Sequence, residues 1–397
     1  MSIKDILSGY VIQPARSAGG NSKRTASAVS GVVRDSSILP ITHINSLFGE
    51  LLPSQFRCAF LGQETQETEE YLIWAANNAK LATIEDSSWA VGTNDMFFGS
   101  ANETFVASGT GVTWNSTPQI FVKDEEGRIA FVPEKSPLAE RIGAVGYFYD
   151  PVALADRIHA AGLLLVGRIV VFQDPVLAAA RPKLSIKRRG GGNWTTNAGL
   201  GWTNPYYEKV WKYNVDVAEA AARAGFDEIM FDYIRFPTDG DAVPVYPGSR
   251  SEPKAETISR FLAYAKRRLD RLGVKIGAAT FGLAATRNIG IGQSPRKMAR
   301  YLDVVHPMVY PQSYGSGECN VDRPSKSPGR IVSCSLQDYR QVLTGRDVEL
   351  IPWLQDYGGY TIDDIRAQVA AAERWQAAGY LLWNGASVYT AGALDIK

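Results

Sequence analysis

Apolar and polar positions fall into two regimes, divided near residue 118. From Gln119 onward, short apolar runs alternate with stretches of helical spacing. Gln119–Lys123 (QIFVK) predicts a strand, followed by the turn Asp-Glu-Glu-Gly. Further strands are predicted at residues 163–172 (LLLVGRIVVF), Lys275–Phe281 (KIGAATF), 303–310 (DVVHPMVY, despite its proline), 349–354 (ELIPWL) and 380–383. Helices are marked at their starts by Asp150-Pro151, Asn204-Pro205 and Ser294-Pro295, where a side-chain cap precedes proline at the first helical position. Another is predicted from Ser251-Glu-Pro through Leu272, and residues 336–343 have helical spacing. Thr361 with Asp364 three residues on predicts a capping box. Gly162, Gly225, Gly273 and Gly379 stand where helices should stop.

The centre of this alternation is residues 225–240, GFDEIMFDYIRFPTDG. Side chains alternate along a strand, so Glu228, Met230, Asp232 and Ile234 share one face and Ile229, Phe231, Tyr233 and Arg235 the other. A run apolar on both faces belongs in a parallel sheet covered on both sides. Asp232 lies within that run, where an ionised group is expensive unless paired or used.

Counting from Gln119 gives seven strands separated by helices over about 280 residues. Right-handed crossovers then favour a (β/α)₈ TIM-like barrel over an open doubly wound sheet. The division predicted is an N-terminal region of unclear structure at 1–118 and a barrel at 119–397. The first strand must come from the N-terminal region. The candidate is residues 56–61 (FRCAFL) followed by a helix at 69–84, the rest being rich in Ser, Thr, Asn and Gly without either period.

Composition removes several function classes. A net charge of +1 gives no electrostatic reason to expect nucleic acid or an anionic membrane. No apolar segment is long enough to span a bilayer. The first twenty residues lack the apolar core of a signal peptide, which at face value predicts a cytoplasmic product. Three scattered histidines and no C-x-x-C spacing predict neither a metal site nor a cofactor. Cys319 and Cys334 share one polar segment, as a disulfide or as two free thiols.

In a barrel, strand ends gather on one rim, here Asp124, Asp174, Asp232, Tyr310, Asp356, Trp383 and Asn384. Carboxylates among aromatics are what glycosidic cleavage needs: one protonates the leaving oxygen while another attacks or stabilises the oxocarbenium-like centre. Each has a plainer reading. Asp232 pairs with Arg168 or Arg235 to hold the barrel, Asp174 caps a helix, Asp124 is solvated in its charged turn, Glu228 forms a structural ion pair and His306 is a hydrogen-bonded core residue.

Five blocks, GRIVVFQDPVLAAARP, GFDEIMFDYIRFPTDG, VVHPMVYPQSYG, PWLQDY and GYLLWNGASVYT, together resemble the bacterial domain family described as "putative glycosyl hydrolases", of (β/α)₈ barrel type. Asp232 matches the aspartate of that family's FDYxRFP segment and Asp356 that of its PWLQD segment. The resemblance implies a hydrolase-type barrel acting on a glycan, without naming the glycan. Members usually carry an export signal and a first strand–helix unit shortly before the VKDEEG segment, neither recognisable in residues 1–118. The combined expectation is a glycoside hydrolase with Asp232 as principal carboxylate and Asp356 as partner acid/base. Tyr233 and Arg235 would position Asp232, while Tyr310, Trp353, Trp383 and Asn384 would bind sugar. The alternative is a non-catalytic glycan-binding barrel of the cell envelope.

Overall fold

Glu228–Asp232 is buried along its whole length and sits deep in a mostly parallel sheet that curls into a half-barrel with helices packed outside. The computed structural model describes residues 88–93, 103–108, 119–160, 164–240, 243–248, 252–384 and 390. The strands are β1 (Ser88–Thr93), β2 (Glu103–Ser108), β3 (Gln119–Lys123), β4 (Val166–Val170), β5 (Lys187–Arg188) and β6 (Glu228–Asp232). They continue with β7 (Pro244–Val245), β8 (Lys275–Phe281), β9 (Val304–Val309), β10 (Glu349–Leu350), β11 (Trp353–Gln355) and β12 (Leu381–Trp383). The main sheet runs β1-β2-β12-β11-β9-β8-β6-β4-β3, with β10 also on β9, while β5 and β7 form a separate two-stranded ribbon.

Within the main sheet, all pairings from β3 to β12 are parallel and follow chain order, the signature of repeated strand–helix crossovers. Beyond β12 the pattern changes: β2 joins antiparallel through Trp383 and Glu103, and β1 pairs antiparallel with β2. A hairpin from the polar N-terminal region thus continues the sheet. The expected first unit at 56–61 and 69–84 lies outside the described residues.

The helices are α1 (Pro137–Arg141), α2 (Pro151–Ala160), α3 (Pro175–Ala180), α4 (Glu208–Arg223), α5 (Lys254–Leu269), α6 (Pro295–Met298), α7 (Pro328–Val342) and α8 (Ile362–Arg374). The starts of α2 and α6 follow their proline signals, α4 opens at Glu208, three residues past Pro205, and Thr361 with Asp364 forms the capping box before α8. Two further ends differ from expectation. The helix α7 begins at Pro328, eight residues before its apolar spacing shows, because proline is preorganised for a first turn. The helix α8 stops at Arg374, since Gln376 takes a left-handed φ of 54°. The strand expected at 349–354 is split at Ile351-Pro352, where proline has no N–H for the ladder. Cys319 and Cys334 are joined as a disulfide, tying the loop after β9 to α7.

Residue alternation separates two cores. Ile229 and Phe231 point outward into the apolar layer beneath the helices, alongside Phe261 of α5 and Val215 of α4. Val166, Met230, Ala279, Val304, Trp353 and Leu381 point inward and pack on one another. One step toward the strand starts, Glu228 Oε1 lies 2.6 Å from His306 Nε2, and His306 Nδ1 lies 3.1 Å from the Ile351 carbonyl. Gly277 makes room for this pair, because a Cβ there would sit 2.0 Å from Glu228 Oε1. Glu228 and His306 are therefore buried structural partners beneath the inner apolar layer.

Candidate active site

Above Met230 the inner face turns polar, because the next inward residue of β6 is Asp232 and Arg168, opposite Met230 on β4, reaches up to it. Arg168 holds Asp232 with two bonds to Oδ2, Nε at 2.9 Å and Nη2 at 2.7 Å. The other oxygen, Oδ1, accepts the Tyr233 backbone N–H at 2.6 Å. That bond requires the chain to reverse sharply, and Tyr233 has a left-handed φ of 46°. A tyrosine in this region carries strain that the surrounding fold must hold, a feature that concentrates at functional sites.

Arg168 Nη2 also donates to Glu125 Oε1 at 2.7 Å. Two acceptors at 2.7 Å from one nitrogen can lie no more than about 5.4 Å apart, so Glu125 and Asp232 present oxygens to each other across the guanidinium. Both carboxylates line one cavity of about 330 Å³. Its far wall is aromatic: Trp353 packs edge-on to Trp383 at 5.7 Å, and Tyr310, which also lines the cavity, packs edge-on to Tyr357 at 6.0 Å. Gly282 and Tyr314 complete a third side, with the Tyr314 hydroxyl held by Ser335 Oγ at 3.0 Å. Burial, with the charges of Glu125 and Asp232 adding to it, pushes the Tyr233 phenol up to about 12.

Of the residues expected at the site, Asp232, Tyr233, Arg235, Tyr310, Trp353 and Trp383 line this cavity. Asp356 and Asn384 are not among its lining. Asp356 is buried behind the end of β11, where its carboxylate accepts the Thr390 backbone N–H at 2.9 Å and the Thr390 hydroxyl at 2.6 Å. Burial raises its pKa, with the Thr390 bonds pulling the other way. Asn384 donates its side-chain amide to the Asp356 carbonyl. These two residues knit strand ends together rather than joining Asp232.

Glu125 was not singled out from the sequence, and Asp124 beside it was expected in solvent. The structure reverses the two: Asp124 is fully buried, accepting Arg128 N at 2.7 Å, Arg128 Nε at 2.6 Å and Glu126 N at 3.1 Å. It closes the turn that aims Glu125 inward. Burial pushes the Asp124 carboxyl up to about 7 against the pull of Arg128. The folded state therefore holds this proton more tightly than the unfolded chain, whose carboxyl titrates near 3.8. Stability contributed at this position should fall as pH rises from about 4 to about 7. Asp124→Asn should flatten that part of the curve relative to the parent, as followed by urea unfolding at stepped pH.

Asp174 caps α3 as expected, its Oδ1 accepting Leu177 N at 2.7 Å. Its other oxygen pairs with Lys123 at 2.7 Å, both side chains being fully buried. Among the described residues no group of three or more His, Cys, Asp or Glu side chains is placed to hold a metal ion, and no helix is long and apolar enough to cross a membrane.

Among solved structures, the chain is similar to a hypothetical protein from Ruminiclostridium thermocellum ATCC 27405, at 34% identity over 42% of this chain and 84% of that one, with a TM-score of 0.39. It is also similar to the PgaB (BpsB) glycoside hydrolase domain from Bordetella bronchiseptica, at 15% identity over 59% of this chain and 74% of that one, with a TM-score of 0.43. A further likeness is to the glycoside hydrolase domain of PelA from Pseudomonas aeruginosa, at 13% identity over 68% of this chain and 96% of that one, with a TM-score of 0.40. No curated protein matches the sequence. A family model covers residues 112–389, the whole of the parallel strand–helix unit and the cavity within it, and the chain accordingly belongs to the family described as "Putative glycosyl hydrolase domain".

Proposed function

We propose that this chain is a glycoside hydrolase cleaving a poly- or oligosaccharide, with Asp232 as nucleophile or electrostatic stabiliser and Glu125 as acid/base. The observation that carries this is the pair of carboxylates facing one aromatic-walled cavity within about 5.4 Å of each other. The acid/base role expected for Asp356 passes to Glu125, because Glu125 lines the cavity and Asp356 does not. Trp353, Trp383 and Tyr310 offer ring faces and edges to the apolar sides of sugars. Tyr233 and Arg168 fix the orientation of Asp232, as preorganised catalysis requires.

Carboxyl separations near 5–5.5 Å accompany retention of configuration, and separations of about 6.5–9.5 Å accompany inversion, because inversion needs room for a water. The Glu125–Asp232 spacing predicts retention, seen as a first-formed product with the substrate's anomeric configuration in time-resolved proton NMR. Inversion would rule out Asp232 as a nucleophile that forms a glycosyl-enzyme. Glu125→Gln should lower turnover of a natural glycan by about 10²–10⁴-fold. Formation of the glycosyl-enzyme from an aryl glycoside, whose leaving group needs no proton, should be spared.

One observation favours a second reading. Both oxygens of Asp232 are already hydrogen-bonded, two bonds coming from Arg168. In a non-catalytic glycan-binding barrel, this carboxylate would serve only to shape the cavity. That reading predicts oligosaccharide binding without product release, and affinity indifferent to Asp232→Asn.

A further inference from the structure

Arg235 lines the same cavity as Asp232, yet its guanidinium is engaged differently from that of Arg168. It is 8% exposed and is ringed by Trp202, Tyr233 and Phe281, each ring centre 5.0 Å from its central carbon. Its hydrogen bonds to described residues are Nη1 to the Phe236 carbonyl at 3.2 Å and Nη1 to Thr238 Oγ1 at 3.5 Å. To the described residues Nε and Nη2 make none. Among the described residues no carboxylate is bonded to it; burial lowers its pKa, while Tyr233, Asp232 and Asp239 act at longer range to favour its charge. A guanidinium stays protonated and carries five N–H donors in a planar fork, and those of Arg235 that hold no protein partner stay accessible at the cavity it lines. A ligand is the natural partner for them.

The choice between neutral and anionic ligand follows from the charges. Arg168 is shared by two carboxylates, so it has little positive field to spare. Arg235 has no bonded counter-ion among the described residues and is ringed by three aromatic side chains. Building on the glycan-hydrolysis reading, we infer that Arg235 receives an anionic substituent of the sugar, a uronate carboxylate or an ester sulfate, so that the substrate is an acidic glycan. The planar fork matches either group bidentately, which lysine cannot reproduce.

The test uses the full chain on a glycan array carrying uronate-bearing and sulfated oligosaccharides, with the carboxyl-reduced and desulfated counterpart of each. Anionic members should be retained at least about tenfold more tightly than their neutral counterparts, the size expected for a charged hydrogen bond. The uronate and sulfate arms show which substituent is read. Arg235→Gln and Arg235→Lys, each checked for unchanged thermal unfolding, should bring the ratio of anionic to neutral retention close to one. Equal retention of neutral and anionic members by the parent overturns the inference and leaves the glycan reading standing. That comparison needs no variant to fold. A preference that survives both variants also overturns it. Retention of no glycan at all would overturn the glycan reading and this inference with it.

Discussion

Asp232→Asn should leave the fold intact and cut turnover of a glycan substrate by at least about a thousandfold, a barrier increase of roughly 4 kcal/mol. The substitution is nearly isosteric; the asparagine carbonyl can still accept from Arg168, which keeps Glu125 as a second partner, while the side-chain amide replaces the oxygen that accepts the Tyr233 N–H. What is lost is the charge that attacks or stabilises the oxocarbenium-like centre, and this is needed in the transition state far more than in the bound substrate. The loss should therefore appear in kcat with KM little changed. Steady-state kinetics beside a thermal unfolding scan separates this from collapse. Turnover at the parent rate would remove Asp232 from the chemistry and favour the binding-barrel reading.

The second large effect is on stability. Lys123→Met should destabilise the protein by about 3–5 kcal/mol, the range for removing one partner of a buried ion pair. Lys123 is fully buried at the end of β3, bonded to Asp174 at 2.7 Å, Asn214 Oδ1 at 2.8 Å and the Val170 carbonyl at 2.8 Å. Burial favours the neutral form of both Lys123 and Asp174, and each charge holds the other against it. Without the ammonium, Asp174 is an uncompensated carboxylate in a dry place. Lys123→Met with Asp174→Asn should recover much of the loss, since asparagine keeps the cap on α3 and removes the stranded charge. Urea midpoints for the two single variants and the double variant measure this coupling. The effect should reach the site as well, because Lys123 grips the end of β4 and Val171 N donates to the Asp232 carbonyl at 2.9 Å.

The parallel part of the fold was legible because its local signals agree. Strands apolar on both faces, prolines at first helical turns and capping residues all point the same way from Gln119 onward. Gln119–Lys123 and Lys275–Phe281 were read to the residue. The hairpin of β1 and β2 was not, because its polar, glycine-containing strands lack a clear alternation and its partner β12 is far away in sequence.

Within the site, alternation held the information and was used unevenly. Asp232 keeps phase with Glu228 and Met230, so its inward direction could be predicted. The same rule applied to β11 puts Trp353 inward and Leu354 outward, leaving Asp356 out of phase with the cavity. Asn384 is out of phase with Trp383 in the same way. Glu125 escaped because the turn DEEG reads as solvated charge. Only the buried carboxylate of Asp124, gripped by Arg128, shows that the turn folds inward. Lys123 escaped for a similar reason, since a lysine at the end of an apolar strand ordinarily reaches water.

The central claim is that sugar binds against Asp232 inside the aromatic-walled cavity. The most direct measurement is a crystal structure of Asp232→Asn soaked with an oligosaccharide that the parent enzyme cleaves. An anomeric carbon is expected about 3–3.5 Å from the residue at position 232, with Glu125 beside the glycosidic oxygen and Trp353 or Trp383 against a ring. A sugar bound elsewhere on the chain, or in this cavity with its scissile bond turned away from both residues, would contradict it.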